Sequence, residues 1–249
     1  MCAVAAIAIL GATGHIGRSL AAEFAARAQS PLTLYGRDGA RLAQLAGDLV
    51  DVEACTADLA EFPRETYDVI INALGWGDPL DVRKAGAKIV AMTAAWDETV
   101  IRALETTPEA LYVAISSGAV YGAGRSAPVD AASSMITIED AQAHGDHYAE
   151  AKLRAEARHR ALGQFNIVDL RLYGYVSRFL EPRGGYFLSQ VLAALDRGTV
   201  LDTHASNMVR DYVSERELAD LVTACYAARP INRGFDVFST EPVAKFDLL

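Results

Sequence analysis

The stretch Gly11-Ala12-Thr13-Gly14-His15-Ile16-Gly17 decides how this chain is read. Before it, Val4 to Leu10 is a continuous apolar run, the pattern of a strand buried on both faces. After it, His15 to Ala28 puts Ile16, Leu20 and Phe24 on one side of a helix. A strand, a tight glycine turn and a helix N-terminus together make an anion site. Backbone N–H groups and the helix dipole face a pyrophosphate, and glycine lets the backbone come close. The spacing is GxxGxxG rather than GxGxxG, so its place between the first strand and first helix carries the weight. Gly11, Thr13, Gly14, His15, Ile16 and Gly17 are the candidate contacts.

Working outward, strands and helices alternate. Strands are expected at Leu32–Tyr35, Val50–Cys55, Tyr67–Leu74, Leu111–Ile115 and Phe165–Leu172. Helical patterns fill Gly39–Leu49, Asp81–Glu105 and Ala141–Leu162. This alternation specifies βαβ units, an α/β Rossmann fold with a doubly wound parallel sheet. The regularity weakens after Tyr173, with helices expected near Phe187–Leu195 and Glu215–Ala228 and a strand near Phe235–Phe238. The plan is a dinucleotide-binding domain over residues 1–172 and a small C-terminal substrate-binding lobe over 173–249, with segments able to cross between them.

Composition narrows the partners. The chain has 249 residues, 51% hydrophobic, and a formal net charge of −9. That is enough apolar material for a packed core, and the acidic balance argues against nucleic acid or an anionic membrane as partner. No apolar run approaches the ~18 residues of a membrane span, and Met1 to Leu10 lacks the basic start of a signal peptide. Three cysteines, Cys2, Cys55 and Cys225, make neither a disulfide framework nor a metal motif, which suits a reducing cytoplasm. Cys225 sits on an apolar helical stripe and reads as core.

The second strand ends Leu34-Tyr35-Gly36-Arg37. An acid near this point, ~20 positions past the glycine turn, would bind both ribose hydroxyls of NAD. Gly36 removes that carboxylate, and Arg37 offers a fork to a 2′-phosphate. NADP is therefore the favoured cofactor. NAD remains open, because Asp38 could reach the ribose if the strand ran one residue longer.

Tyr148-Ala-Glu-Ala-Lys152 places a phenol and an ammonium at i and i+4 of one helix face. A neighbouring cation favours the phenolate and makes tyrosine a usable acid/base. Ser116-Ser117-Gly118-Ala119-Val120-Tyr121-Gly122 follows the fifth strand, at the sheet edge where ligands bind in open α/β folds.

With these motifs and Arg210-Asp-Tyr-Val213, the chain resembles the extended short-chain dehydrogenase/reductase family, in its NAD(P)-dependent epimerase/dehydratase group acting on nucleotide sugars. The likeness runs over roughly residues 4 to 240. It implies that Tyr148 moves the proton, that Lys152 tunes Tyr148 and holds the nicotinamide ribose, and that Ser117 polarises the substrate carbonyl. It further implies that Asp58 and Leu59 meet the adenine, that Asn72, Ala73, Leu74 and Gly75 line the cofactor, and that Tyr173 and Gly174 close over the nicotinamide. Arg210 would hold the diphosphate of a nucleotide-sugar substrate. Tyr186, after the double glycine, is a candidate for the substrate cleft. The resemblance also implies a homodimer paired through the long helices, where Ala149, Ala151, Ala155 and Ala157 would allow close approach.

There are departures. Ala151 replaces the usual serine before the motif lysine, and Asp81 to Glu105 contains no asparagine, so a supporting role is left unassigned. Family members that eliminate water carry an acid pair where this chain has Gly118 and Ala119, which disfavours a 4,6-dehydratase. A keto-sugar reductase ranks first and an NAD-dependent 4-epimerase second. A non-catalytic NADP-binding sensor on the same fold stays open. His144 and His147 would need further ligands to hold a metal, so no metal site is expected. Trp76 reads as a cleft wall, and Arg154, Arg158 and Arg160 as a solvated helix face.

Overall fold

The computed structural model describes residues 6–27, 31–49, 54–76, 78–123, 128–182 and 184–249. The first half alternates as expected: β1 (Ile7–Leu10), α1 (His15–Ala26), β2 (Leu32–Gly36), α2 (Gly39–Asp48), β3 (Ala54–Asp58) and β4 (Val69–Asn72). There follow α3 (Pro79–Ala85), α4 (Lys88–Thr106), β5 (Leu111–Ser117), α5 (Ile138–Ala143), α6 (His147–Ala161) and β6 (Asn166–Leu172). The remainder holds β7 (Tyr175–Val176), α7 (Phe187–Arg197), β8 (Val209–Arg210), β9 (Val213–Ser214), α8 (Glu215–Ala227), β10 (Asn232–Val237), β11 (Val243–Ala244) and α9 (Lys245–Leu248).

Seven strands form one parallel sheet in the order β10-β6-β5-β4-β1-β2-β3. Both faces are covered, which is why the central strands read as unbroken apolar runs. The period of two still shows in what each face packs. Ile7, Ile9, Ile71, Val113 and Val168 join α1 and α8 on one face. Ala8, Leu10, Ile70, Tyr112 and Ile167 meet Val100 and Leu104 of α4 on the other. Cys225 of α8 is core, and burial pushes its thiol up to about 11.

Three local expectations are corrected. The third strand, expected over Val50–Cys55, runs on to Asp58; residues 50–53 fall outside the described residues. Pairing with β2 sets its register, Leu32 opposite Ala54 and Gly36 opposite Asp58, and carries it past Cys55. The helix expected over Asp81–Glu105 is two, α3 capped by the Asp78 side chain and α4, broken at Gly86 (φ +53°). The helix expected over Ala141–Leu162 is also two. α5 carries a Thr137/Asp140 capping box, and α6 starts afresh under an Asp146 cap.

The chain crosses back after residue 173. α8 packs beside α1, and β10 joins the sheet next to β6, so Val213, Leu218, Val222 and Val237 belong to the main core. What stands apart is α7 with the small β8–β11 pairing. The strand order reverses at β1 and β4, and the crevice at their carboxyl ends is where ligands bind in this architecture.

Candidate active site

The β1–α1 turn forms the floor of that crevice. Gly11 has φ +76°, and a Cβ there would stand 2.9 Å from the Ala73 carbonyl oxygen. A Cβ on Gly17 would collide with the Gly11 carbonyl. The turn is thus packed against α1 and the β4 loop with no room for side chains. Gly14 caps α1 without a side-chain bond, and the first turn holds no acid, whereas α2, α6 and α8 are each capped by a side chain. The first N–H groups of α1 are therefore left without a side-chain cap where His15 and Ile16 line the cleft. His15, in its first turn, meets Ser177 Oγ at 2.8 Å. Burial lowers its pKa, outweighing the acids Glu215 and Glu181, so the ring is neutral.

Above this floor is a cleft of about 690 Å³. Ser117, Tyr148 and Lys152 all line it, from the end of β5 and the first turns of α6. Lys152 Nζ lies 5.7 Å from the centre of the Tyr148 ring and donates to the Ile115 carbonyl at 2.7 Å. The two serines of the motif divide their work. Ser116 is buried and donates to Glu156 Oε1 at 2.6 Å, while Ser117 stays at the cleft. His15, Ile16, Ala73, Leu74, Gly75, Tyr173, Gly174, Tyr186 and Arg210 line it as well.

Other expected residues stand elsewhere. Asn72 turns away from the cleft: its amide donates to Tyr112 Oη at 2.9 Å, and its oxygen accepts from Leu74 N at 3.1 Å. It shapes the 73–75 loop from behind. Arg37, Asp58 and Leu59 lie at the ends of β2 and β3, outside the cleft, with Arg37 and Asp58 exposed. Asp38 is engaged as the cap of α2, accepting from Arg41 N at 3.0 Å, because β2 ends at Gly36. Asp58 likewise accepts from Ala60 N.

A buried network holds the cleft wall. Arg171 of β6 grips Glu156 and donates to Tyr121 Oη at 2.9 Å. Tyr121 and Tyr173 donate to the two oxygens of Asp236 on β10, at 2.9 and 2.7 Å. Burial and then Asp236 raise the Tyr173 phenol, so it stays a donor. Its ring occupies the space a Gly118 side chain would need. At the far end Asp78 caps α3 and accepts from Gly185 N at 2.6 Å, drawing the 184–186 loop over the site. Trp76, on the wall as expected, stacks on Trp96.

The sequence pattern described as the NAD dependent epimerase/dehydratase family matches residues 7–235. The chain belongs to this family. No curated protein matches this family member by sequence. Among solved structures it resembles a UDP-N-acetylglucosamine 4-epimerase from Methanobrevibacter ruminantium in complex with UDP-N-acetylmuramic acid. That match has a TM-score of 0.82 and 13% identity, and it covers 100% of this chain and 80% of the other. It also resembles a UDP-glucose 4-epimerase from Stenotrophomonas maltophila with bound NAD and formylated UDP-arabinopyranose (TM-score 0.75, 16% identity, covering 99% and 81%). A third is a dTDP-glucose 4,6-dehydratase from Bacillus anthracis in complex with NAD (TM-score 0.75, 12% identity, covering 99% and 78%). At these identities the likeness speaks for the fold.

This family member departs from its sequence reading on α6. Arg154, Arg158 and Arg160 are not a merely solvated face. They pair with the buried carboxylates of Glu150, Asp97 and Asp169. His144 and His147 serve local contacts, with the Asp140 carbonyl and Glu150. Among the described residues no cluster of His, Cys, Asp or Glu could hold a metal, and no helix is long and apolar enough to cross a membrane. Sequence reasoning missed His159, which is fully buried. Its one signal was its spacing of seven from Lys152, on the same helix face.

Proposed function

We propose that this protein is a nicotinamide-dependent oxidoreductase that reduces a keto group of a nucleotide-linked sugar, with NADPH as its favoured cofactor. The observation that carries the reading is the convergence of Ser117, Tyr148 and Lys152 on one cleft whose floor is the open N-terminus of α1. The glycine turn, His15 and Ile16 would hold the pyrophosphate, as the missing side chains there allow. Arg37 would take the 2′-phosphate, and Asp58 and Leu59 the adenine. Ala73, Leu74 and Gly75 would line the cofactor, Lys152 would hold the nicotinamide ribose, and Tyr173 and Gly174 would cover the ring. When bound, the nicotinamide supplies the two electrons as a hydride.

The chain's own groups do the rest. Ser117 donates a hydrogen bond to the substrate carbonyl. Tyr148 gives that oxygen a proton as it gains charge, with Lys152 as the cation on the same helix face. Arg210 and Tyr186, with the small lobe of α7 and β8–β11, would hold the nucleotide sugar. Water elimination is disfavoured because Gly118 and Ala119 carry no acid, and the Tyr173 ring fills the place a larger residue at 118 would need.

The second reading is 4-epimerisation with NAD, favoured by the names of the neighbouring structures, among them 4-epimerases with bound NAD. We further infer a homodimer paired through α4 and α6. Ala149 and Ala151 are buried within the chain, so Ala157 with Ala91, Ala94 and Ala95 of α4 would supply the close approach.

The test is Tyr148→Phe. The ring and its packing stay, but the proton donor goes. Turnover of keto-sugar nucleotides should fall roughly 10²–10⁴-fold in kcat while NADPH binding survives. Lys152→Ala should lose binding as well. Near wild-type rates in Tyr148→Phe would overturn the acid/base assignment and return weight to a non-catalytic sensor.

A further inference from the structure

His15 stands where the cleft floor meets the segment that follows β7. It is the first residue of α1, which starts at Gly14 without a side-chain cap, and it lines the cleft. Its Nε2 lies 2.8 Å from Ser177 Oγ, and its ring packs T-shaped on Tyr175 with centroids 5.1 Å apart. Ser177 Oγ also accepts from Phe179 N at 3.2 Å. His15 Nδ1 has no hydrogen-bond partner among the described residues. A neutral imidazole carries one N–H, so one ring nitrogen is left to take a proton. The Ser177 hydroxyl can still accept from Nε2 once both nitrogens are protonated.

The groups that set the charge of this ring come from each element packed against it. They are Arg18 of α1, Glu215 at the start of α8, and Glu181 from the segment after β7. From β7 comes Tyr175, whose phenol burial raises, so it stays neutral. Glu181 is itself answered by Arg18 at 3.6 Å. Burial is the largest influence on His15 and lowers its pKa, ahead of the opposing pull of Glu215. The ring thus has a place for a proton and lacks a negative charge strong enough to hold it. A pyrophosphate diester keeps a negative charge on each phosphorus at neutral pH, and a nearby opposite charge favours the charged form of a titrating group.

We propose that the pyrophosphate of the dinucleotide, on binding at the β1–α1 turn, draws a proton from solvent onto His15, so that the cofactor is held by an imidazolium formed in the act of binding. This regulation of the site by pH rests on the reading of the cleft floor as the pyrophosphate site. Its sign follows from linkage. The bound protein carries more protons than the free one, so affinity rises as pH falls. Between the free and the bound pKa of His15, Kd rises by up to about tenfold for each unit of pH. Below the free value the proton is already present, and above the bound value it is absent from both states, so the dependence ends at each side.

The experiment is isothermal titration calorimetry of NADPH into the full chain at pH 7.5, in phosphate and in Tris, two buffers whose ionisation enthalpies differ widely. The 2′-phosphate titrates as well, so the quantity read is the difference in proton uptake between wild type and His15→Gln, in which that contribution cancels. The wild type should take up about half a proton more per NADPH than the variant, and its Kd should rise more steeply between pH 6.5 and 8.5. Equal uptake in the two proteins would overturn the proposal. A second measurement needs no variant. The chain has five histidines, and the His15 ring resonance, assigned through the backbone, should titrate about one pH unit higher or more with saturating NADPH than without it. A titration of His15 left unchanged by bound NADPH would overturn the proposal by itself. Failure of the cofactor reading would look different: neither NADPH nor NADH would give heat or shift any resonance, and the proposal would fall with it.

Discussion

Raising the pH should unlock α4 and α6 from the sheet by discharging His159. The ring is fully buried, with a carboxylate 2.7 Å from each nitrogen. Its pKa is about 9 in the folded protein and ~6.5 in an unfolded chain. The folded value is the higher one, so this group stabilises the fold fully below pH ~6.5. That stabilisation is lost as pH rises through about 9. The difference is worth on the order of 3 kcal/mol, at 1.36 kcal/mol per unit. The assay is urea unfolding at intervals from pH 6 to 10, on wild type and His159→Gln. The variant should be less stable near pH 6, because two buried carboxylates lose their cation. The gap between the curves should then narrow by a few kcal/mol toward pH 10. Parallel curves across that range would refute the assignment of an imidazolium at this position.

Two further outcomes are expected. Arg37→Ala should weaken NADPH by ~1–3 kcal/mol, the scale of a charge-assisted hydrogen bond, and leave NADH nearly unchanged. Titration followed by energy transfer from Trp76 and Trp96, the chain's two tryptophans, reads both, and equal losses would remove Arg37 from the 2′-phosphate. Light scattering at micromolar concentration should give twice the monomer mass, and a monomer would refute pairing through α4 and α6.

Much of this was legible in order and spacing alone. GATGHIG after an apolar run specified the first βαβ unit, because glycine at a strand–helix turn has a backbone reason to be there. The YxxxK spacing placed Tyr148 and Lys152 on one face, because helical period is a local property. The parallel sheet followed from unbroken runs such as Ile7–Leu10 and Val69–Ile71, buried on both faces. Boundaries were less legible. The third strand runs past its expected end at Cys55 to Asp58 because its register is set by a neighbour, β2, and not by its own composition. What only the tertiary structure decided concerns polar groups and their partners. Ser116 and Ser117 are adjacent and chemically identical, yet one is committed to Glu156 and the other is left at the cleft. Asp38, a ribose candidate in sequence, caps a helix. Arg158 and Arg160 read as a solvated face, while the residue between them, His159, is a buried cation. Its partners Asp97 and Asp169 lie 62 and 10 residues away. A side chain's charge state and role are set by what is packed against it, and those neighbours come from distant parts of the chain that only the fold brings together.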